Sequence, residues 1–281
     1  MIEWCWLNGQ VMPLADAKIS VEDRGFQFAD GVYESVRIYG GKPFSLEAHL
    51  DRLEHSCNGI RLALTMQKSS LREEILKLVA RSGVMDGLVY LQITRGAAAR
   101  NHLFPQQPRP TILFYVRALP PISEMEMNRP HTLMSVRDER WQKCWIKSLA
   151  LLENVLARNA AAAAGADDAI FVDDGCVMEG TSCNLFLVSD GTLVTAPVGK
   201  KVLPGITRDI LLECAKEVSV PVRERAMKLE EAKKCAEVFI TSSIREVVPV
   251  TKWDDAAIGG SGAITDKLHE AFRKRVAASL K

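Results

Sequence analysis

The sequence predicts an α/β protein with α+β character, folded as a smaller N-terminal domain and a larger C-terminal one. Three features point there. The chain has 281 residues, and domains usually stay near ~100–150, with single cores ceasing to grow at ~250–300. Segments with the period-2 alternation of strands recur among segments with helical spacing. Two adjacent prolines, Pro120-Pro121, then interrupt both patterns, because neither can donate to a sheet or continue a helix. The expected division is residues 1–118, a linker over 119–130, and residues 131–281.

Trp4-Cys5-Trp6-Leu7 and Val11-Met12 flank Asn8-Gly9, the pair that a tight primed turn prefers, so a hairpin is expected first. Gly31 to Tyr39 alternates as a strand and stops at Gly40-Gly41. Ser45 is placed to cap a helix carrying Leu46, Leu50, Leu53, Cys57 and Ile60. Ser70 with Glu73 reads as a capping box opening a second helix, with Leu71, Ile75, Leu78 and Val79 facing the core. Strands over 88–94 and 111–116 bracket a long loop holding Arg95 to Pro110, which gives this half helices against a mostly antiparallel sheet.

Beyond the prolines, residues 131–136 read as extended, and 149–164 as helix-rich, closed by Gly165. Strands over 169–172 and 184–188 carry turns at Asp173-Asp174-Gly175 and Asp190-Gly191. Gly205 opens a helix with Ile210, Leu211, Cys214 and Val218, and 238–241 is a short buried strand.

Composition excludes several functions. With 36 Lys+Arg against 35 Asp+Glu the formal charge is +1, whereas nucleic-acid binding needs clustered, uncompensated Lys and Arg. A hydrophobic share of 47% with 25% charged residues is globular rather than disordered. Met1-Ile2-Glu3-Trp4 lacks the basic, then apolar, start of a signal peptide, and no apolar run reaches the ~20 residues of a membrane span. The seven cysteines are scattered without a CxxC pair, which fits reduced thiols in a cytoplasm better than a disulfide framework or a zinc cage. The five histidines form no HxxxH or HExxH pair, so no metal site is expected, and His49 and His55 read as helix-surface residues. Neither GxGxxG, GxxxxGK[ST] nor GxSxG is present.

Chemistry is suggested elsewhere. Leu203-Pro204-Gly205-Ile206-Thr207-Arg208 precedes a helix, whose first N–H groups lack intrahelical partners and carry the positive end of the helix dipole, so a phosphate would suit it. A plain helix cap is the alternative. Thr241-Ser242-Ser243 ends a strand, where ligand loops of open sheets lie, or else forms a capped turn. Lys147 sits among Trp145, Ile146 and Leu149. Burial there would favour a neutral, nucleophilic amine able to condense with a carbonyl, and a snorkelling lysine is the alternative. Glu179 reads as an exposed turn carboxylate, and Arg100-Asn101-His102 as a solvated loop or a carboxylate-binding pair.

In order along the chain, these pieces resemble the pyridoxal-phosphate transaminases of the branched-chain and D-amino-acid type, the class IV aminotransferases of fold type IV. The motifs are Glu22-Asp23-Arg24-Gly25, Gly31-Val32-Tyr33-Glu34, His49-Leu50-Asp51-Arg52-Leu53, Ile146-Lys147-Ser148-Leu149, Glu179-Gly180-Thr181-Ser182-Cys183-Asn184, Leu203 to Arg208 and Thr241-Ser242-Ser243. The resemblance implies pyridoxal 5'-phosphate in an interdomain cleft. Lys147 would hold it covalently and shuttle a proton between substrate Cα and cofactor. Glu179 would pair with the pyridine nitrogen, and Leu203 would pack against the ring. Arg52, Ile206, Thr207 and Ser243, with Ser242 beside them, would receive the phosphate. The order Arg100-x-His102 followed by Phe104-Pro105 resembles the substrate-carboxylate trap of D-amino-acid aminotransferases, with Tyr33 as third donor. In that family Arg and His reach across a dimer interface, so a homodimer is implied. The expected activity is ping-pong transfer of the amino group of D-amino acids such as D-alanine to 2-oxo acids, 2-oxoglutarate giving D-glutamate.

Cys183 stands where a serine is common, Ile244-Arg245 where smaller polar residues are usual, and Arg37 is similar to an arginine of the L-branched-chain members. Competing readings are therefore an L-branched-chain transaminase, an aminodeoxychorismate-lyase-type enzyme, or a non-catalytic phosphate-ligand-binding protein.

Overall fold

A computed structural model describes residues 2–124 and 129–281, to which all structural statements here refer. Residues 125–128 of the expected linker lie outside them. The chain divides into two compact units: Met1–Pro121 with Ile146–Ala150 and Leu280, and Ile122–Trp145 with Leu151–Ser279 and Lys281.

In the first unit, strands β1 (Trp4–Leu7) and β2 (Gln10–Pro13) form the hairpin, and Asn8 (φ 48°) and Gly9 (φ 95°) supply the positive φ its turn needs. Helix α1 (Arg24–Phe28) begins at Asp23, whose carboxylate accepts from the Gly25 N–H. Strands β3 (Gly31–Tyr39), β4 (Lys42–Pro43), β5 (Gly87–Thr94) and β6 (Thr111–Ala118) complete an antiparallel sheet in the order β2-β1-β6-β5-β3-β4. Helix α2 (Leu46–Gly59) lies on β3, and α3 (Lys68–Ser82) on β1 and β6, burying Leu50, Leu53, Leu71, Ile75 and Leu78.

The two expected serine caps are absent. Ser45 precedes α2 but sits in the left-handed region (φ 52°) and makes no side-chain cap, since capping needs extended backbone to aim the hydroxyl at the first-turn N–H groups. Helix α3 starts at Lys68, ahead of Ser70, which leaves Ser70 and Glu73 inside it.

The second unit holds β7 (His131–Arg137), α4 (Leu152–Ala163), β8 (Asp168–Asp173), β9 (Cys176–Gly180), β10 (Asn184–Ser189) and β11 (Thr192–Thr195). It continues through α5 (Ile206–Glu217), β12 (Val222–Glu224), β13 (Met227–Lys228), α6 (Leu229–Ala232), β14 (Glu237–Ser242), β15 (Glu246–Trp253), β16 (Ala256–Ala257) and α7 (Ala263–Ser279). The strands form one mixed sheet in the order β12-β11-β10-β14-β15-β7-β8-β9-β13, with β16 on β15 and an added β10–β9 pairing. Leu185, Leu187, Val238, Ile240, Val248 and Trp253 share its core. Small Ala157 and Ala161 let α4 approach Phe171 of β8 closely.

The stretch Ile146–Ala150 does not start α4. It runs beside β3: Ser148 bridges Val32, the Tyr33 N–H donates to the Lys147 carbonyl at 3.0 Å, and the Leu149 N–H donates to the Gly31 carbonyl at 3.0 Å. Backbone pairing with β3 thus overrides the helical period read from 149 onward.

Candidate active site

Successive side chains of a strand point to opposite faces, so Tyr33 and Glu34 of β3 serve different surroundings. Tyr33 stacks on Tyr90, with centroids 5.8 Å apart, and Tyr90 on Tyr115 at 5.1 Å, one residue from each of three adjacent strands. The Lys147 amine lies 4.3 Å from the Tyr33 ring centroid, and the Lys147 N–H donates to Ser56 Oγ of α2 at 3.2 Å. Among the described residues no ion pair involves that amine.

Glu34 turns toward α2. Its carboxylate accepts from Arg52 Nε at 2.7 Å and Nη2 at 2.8 Å, and lies 2.7 Å from His49 Nδ1. All three side chains are buried. Burial alone would raise the Glu34 carboxyl, but the Arg52 charge and the His49 contact outweigh it and hold it well below the usual carboxylate range. Burial pushes the His49 imidazole down, against the pull of Glu34. His49 is therefore not a surface residue as expected. Its partner stands on another element, out of reach of any local pattern. His55 is exposed.

Arg100 and His102 both lie exposed on the loop between β5 and β6, grouped around one ring of α1. The Arg100 guanidinium is 4.6 Å from the Phe28 centroid and the His102 ring 5.6 Å from it. Arg37 points elsewhere. It is fully buried, donates to the Pro120 carbonyl at 2.9 Å and approaches Asp86 at 3.7 Å.

In the second unit Glu179 is buried in strand β9, not exposed on a turn. The expectation failed because β9 is made by pairing with β8, β10 and β13, and because the partners of the carboxylate are remote. Arg140 Nη1 donates to Glu179 Oε1 at 2.6 Å, while Asn184 Nδ2 (3.2 Å) and the Leu203 N–H (3.0 Å) donate to Oε2. Arg140 is held in turn by Asp138, at 2.8 Å, and by the Lys201 carbonyl, at 2.8 Å.

Asn184 draws the motifs together. It pairs in register with Glu179 on one side and Thr241 on the other, and its amide also donates to the Leu203 carbonyl at 3.1 Å. A Cβ on Gly205 would collide with Asn184 Oδ1, so glycine is required for this approach. Gly205 is the N-cap of α5 and provides no side-chain cap; Ile206 and Thr207 of the first turn are buried. The Thr241 hydroxyl is buried without a hydrogen-bond partner among the described residues. Ser242 Oγ accepts the Arg245 N–H at 3.2 Å, and Ser243 follows in the same turn. The two sequence departures meet here: Arg245 donates to Asp168 at 3.1 Å and to Ser182 Oγ at 2.7 Å, and Cys183 Sγ lies 3.8 Å from Asp168. No group of His, Cys, Asp and Glu among the described residues is arranged to hold a metal ion, and no described helix is long and apolar enough to cross a membrane.

Residues 31–253 match amino-transferase class IV, and the chain belongs to that family. It is similar to a D-alanine aminotransferase of Staphylococcus epidermidis, 38% identical over 96% of this chain and 97% of that one. A D-alanine aminotransferase of Listeria monocytogenes is also 38% identical, over 96% and 95% of the two chains. Among solved structures, a fold IV transaminase from Curtobacterium pusillum superposes with a TM-score of 0.83 at 26% identity, covering 93% of this chain and 92% of that one. The fold is that of the fold type IV aminotransferases.

Proposed function

We propose that this chain is a pyridoxal 5'-phosphate-dependent transaminase of D-amino acids, with D-alanine as a donor and 2-oxoglutarate as the acceptor. The observation that carries this reading is the pairing of Arg100 and His102 on one aromatic ring, in a chain 38% identical to D-alanine aminotransferases. The residues present suit the cofactor. The orphaned Thr241 hydroxyl and the uncapped start of α5 offer donors to a phosphate.

When bound, the cofactor supplies an electron sink that acidifies the substrate Cα–H and carries the amino group between two half-reactions. Lys147 would hold the cofactor and act as the base that takes the Cα proton. Glu179 would hold a proton at the ring nitrogen. Leu203 would pack on the ring. Ile206 and Thr207 N–H groups, the Thr207 hydroxyl, Ser242, Ser243 and the Arg52 charge receive the phosphate. Tyr33, Arg100 and His102 hold the substrate carboxylate. Planar guanidinium binds a carboxylate bidentately, so fixing that group on one side leaves one enantiomer's Cα–H facing the base.

A homodimer located in the cytoplasm belongs to this reading. Arg100 and His102 are exposed on the same loop as the exposed apolar Leu103 and Phe104, which suits a loop that completes a second copy's site. Light scattering on the purified protein tests this, with a monomer counting against it. The L-branched-chain alternative drew on Arg37, which is engaged by the Pro120 carbonyl instead.

The deciding experiment is a panel of D- and L-amino acids with 2-oxoglutarate. Turnover of D-alanine to pyruvate, with its amino group recovered in glutamate, is expected. Preference for L-leucine or L-valine, or pyruvate release over many turnovers without an acceptor, would overturn the reading. Borohydride reduction of the holoenzyme should fix the cofactor on Lys147 and leave K147A unlabelled.

A further inference from the structure

The motif Glu22-Asp23-Arg24-Gly25 has no role in the chemistry above, yet three of its four residues are tied to the base of the Arg100–His102 loop. The Arg24 N–H donates to the Gly96 carbonyl at 2.9 Å, Asp23 bridges Ala97, and the Ala98 N–H donates to the Glu22 carbonyl at 3.2 Å. Asp23 also accepts from Thr94 Oγ1 at 2.9 Å and Thr111 Oγ1 at 2.7 Å, the two strand residues that flank the loop. The Arg24 side chain then reaches along the loop. It is buried, its Nε donates to Asp30 at 2.8 Å, and its Nη1 donates to the Asn101 carbonyl at 2.6 Å and the Leu103 carbonyl at 3.4 Å. Those carbonyls bracket His102, and Asn101 follows Arg100.

Phe28 completes the arrangement. The Arg24 guanidinium lies 4.8 Å from its ring centroid, that of Arg100 4.6 Å, and the His102 ring 5.6 Å. The Arg100 guanidinium over the Phe28 ring makes a cation–π contact, which holds a group whose N–H fork can take a carboxylate bidentately. A second guanidinium braces the far part of the loop: Arg95 donates to Asp30 at 2.8 and 2.9 Å and lies 3.8 Å from the Phe104 centroid. Asp30, between the two arginines, is the charge that keeps them together.

We infer that Arg24 and Phe28 are positioning residues that preform the substrate-carboxylate trap, Arg24 by holding the loop backbone on both sides of His102 and Phe28 by stacking Arg100. The inference rests on the D-amino-acid reading. A loop whose donors serve a second copy cannot be ordered by the site it completes before the copies meet, so its own chain must hold it. Preorganisation of that kind lowers the cost of binding and acts on KM.

The test is steady-state kinetics of D-alanine with wild-type holoenzyme, R100A, F28L, F28Y and the double variant R100A/F28L. F28L keeps apolar bulk but removes the ring, and should raise KM about 3–10-fold, the worth of one such cation–π contact, with kcat within about 2-fold. F28Y should restore the wild-type KM. The double variant should be no worse than R100A, because both changes remove the same interaction. R24M should raise KM further by releasing the loop backbone. If R100A raises KM and F28L does not, or if F28L lowers kcat and adds to R100A, the positioning role is wrong. If R100A itself leaves KM unchanged, the carboxylate-trap reading fails first and takes this inference with it.

Discussion

Arg140 and Glu179 form a buried ion pair, with Nη1 2.6 Å from Oε1 and side chains 6% and 7% exposed. The pair joins a segment just after β7 to strand β9. The Arg140 guanidinium also stacks 4.0 Å from the Phe171 ring centroid, so its orientation is fixed by packing as well as by charge. Burial opposes the charge on Arg140, but hydrogen bonding to Asp138 and the charge of Glu179 outweigh it and raise its pKa further.

Removing one member of such a pair leaves the other charge buried and uncompensated. Arg140→Met should therefore destabilise the protein by about 3–5 kcal/mol, read from urea denaturation. Glu179→Gln in the same chain should recover part of that loss, because it neutralises the stranded carboxylate. Equal stability of R140M and R140M/E179Q would show that the pair is not the source of the effect.

Gly205 is the second point at which geometry makes a sharp demand. A methyl group there meets Asn184 Oδ1, and Asn184 holds both Glu179 and the Leu203 carbonyl. Gly205→Ala should raise the dissociation constant for pyridoxal phosphate about 10-fold or more, equivalent to about 1.4 kcal/mol, in a fluorescence titration of the apoenzyme. An unchanged constant would remove the start of α5 from the phosphate site.

What local pattern can encode was legible. Asn8-Gly9 announced its hairpin, the alternation from Gly31 to Tyr39 matched β3 residue for residue, and Gly205 marked the start of α5. What depended on distant partners was not. Lys147 lies in a segment that reads as the lead into a helix until β3 pairs with it, and Glu179 looks exposed until Arg140 is placed beside it. His49 and Arg52 share a face of α2 at i and i+3, a visible clue, but their common acceptor Glu34 is visible only once α2 lies on β3. Helix α7 carries a local signal of its own, because Leu268, Phe272 and Val276 recur at helical spacing and are buried.

The Glu34 cluster sets a pH dependence. Its folded carboxyl titrates below the ordinary value of about 4.3, so the unfolded chain binds a proton that the folded chain refuses. The stability it contributes is complete above that ordinary value and is lost as pH falls toward the folded one. Buried His49 has the same sign, because its folded pKa is lowered from about 6.5. Between pH 4 and 3, Glu34→Gln should flatten the slope of unfolding free energy against pH by up to about 1.4 kcal/mol per unit, one proton's worth. Wild-type and E34Q slopes that coincide over this interval would contradict the depressed carboxyl.

Arg37 separates the two transaminase readings from a different direction. It is one of the largest fully buried side chains, and its guanidinium meets the Pro120 carbonyl at 2.9 Å, Asp86 at 3.7 Å and the Tyr39 ring at 5.4 Å. These contacts tie the end of β3 to the residue before β5 and to the segment after β6, so the arginine works as a structural tie within the first unit. A hydrogen bond from a charged donor to a buried carbonyl contributes about 1.5–3 kcal/mol, and Arg37→Gln should cost about that in a urea titration. The ratio of D-alanine to L-leucine turnover should stay as in wild type, since Pro120, Asp86 and Tyr39 are not among the groups assigned to the substrate. A variant that keeps its stability but shifts this ratio toward the L-amino acid would return Arg37 to the substrate pocket and revive the branched-chain reading.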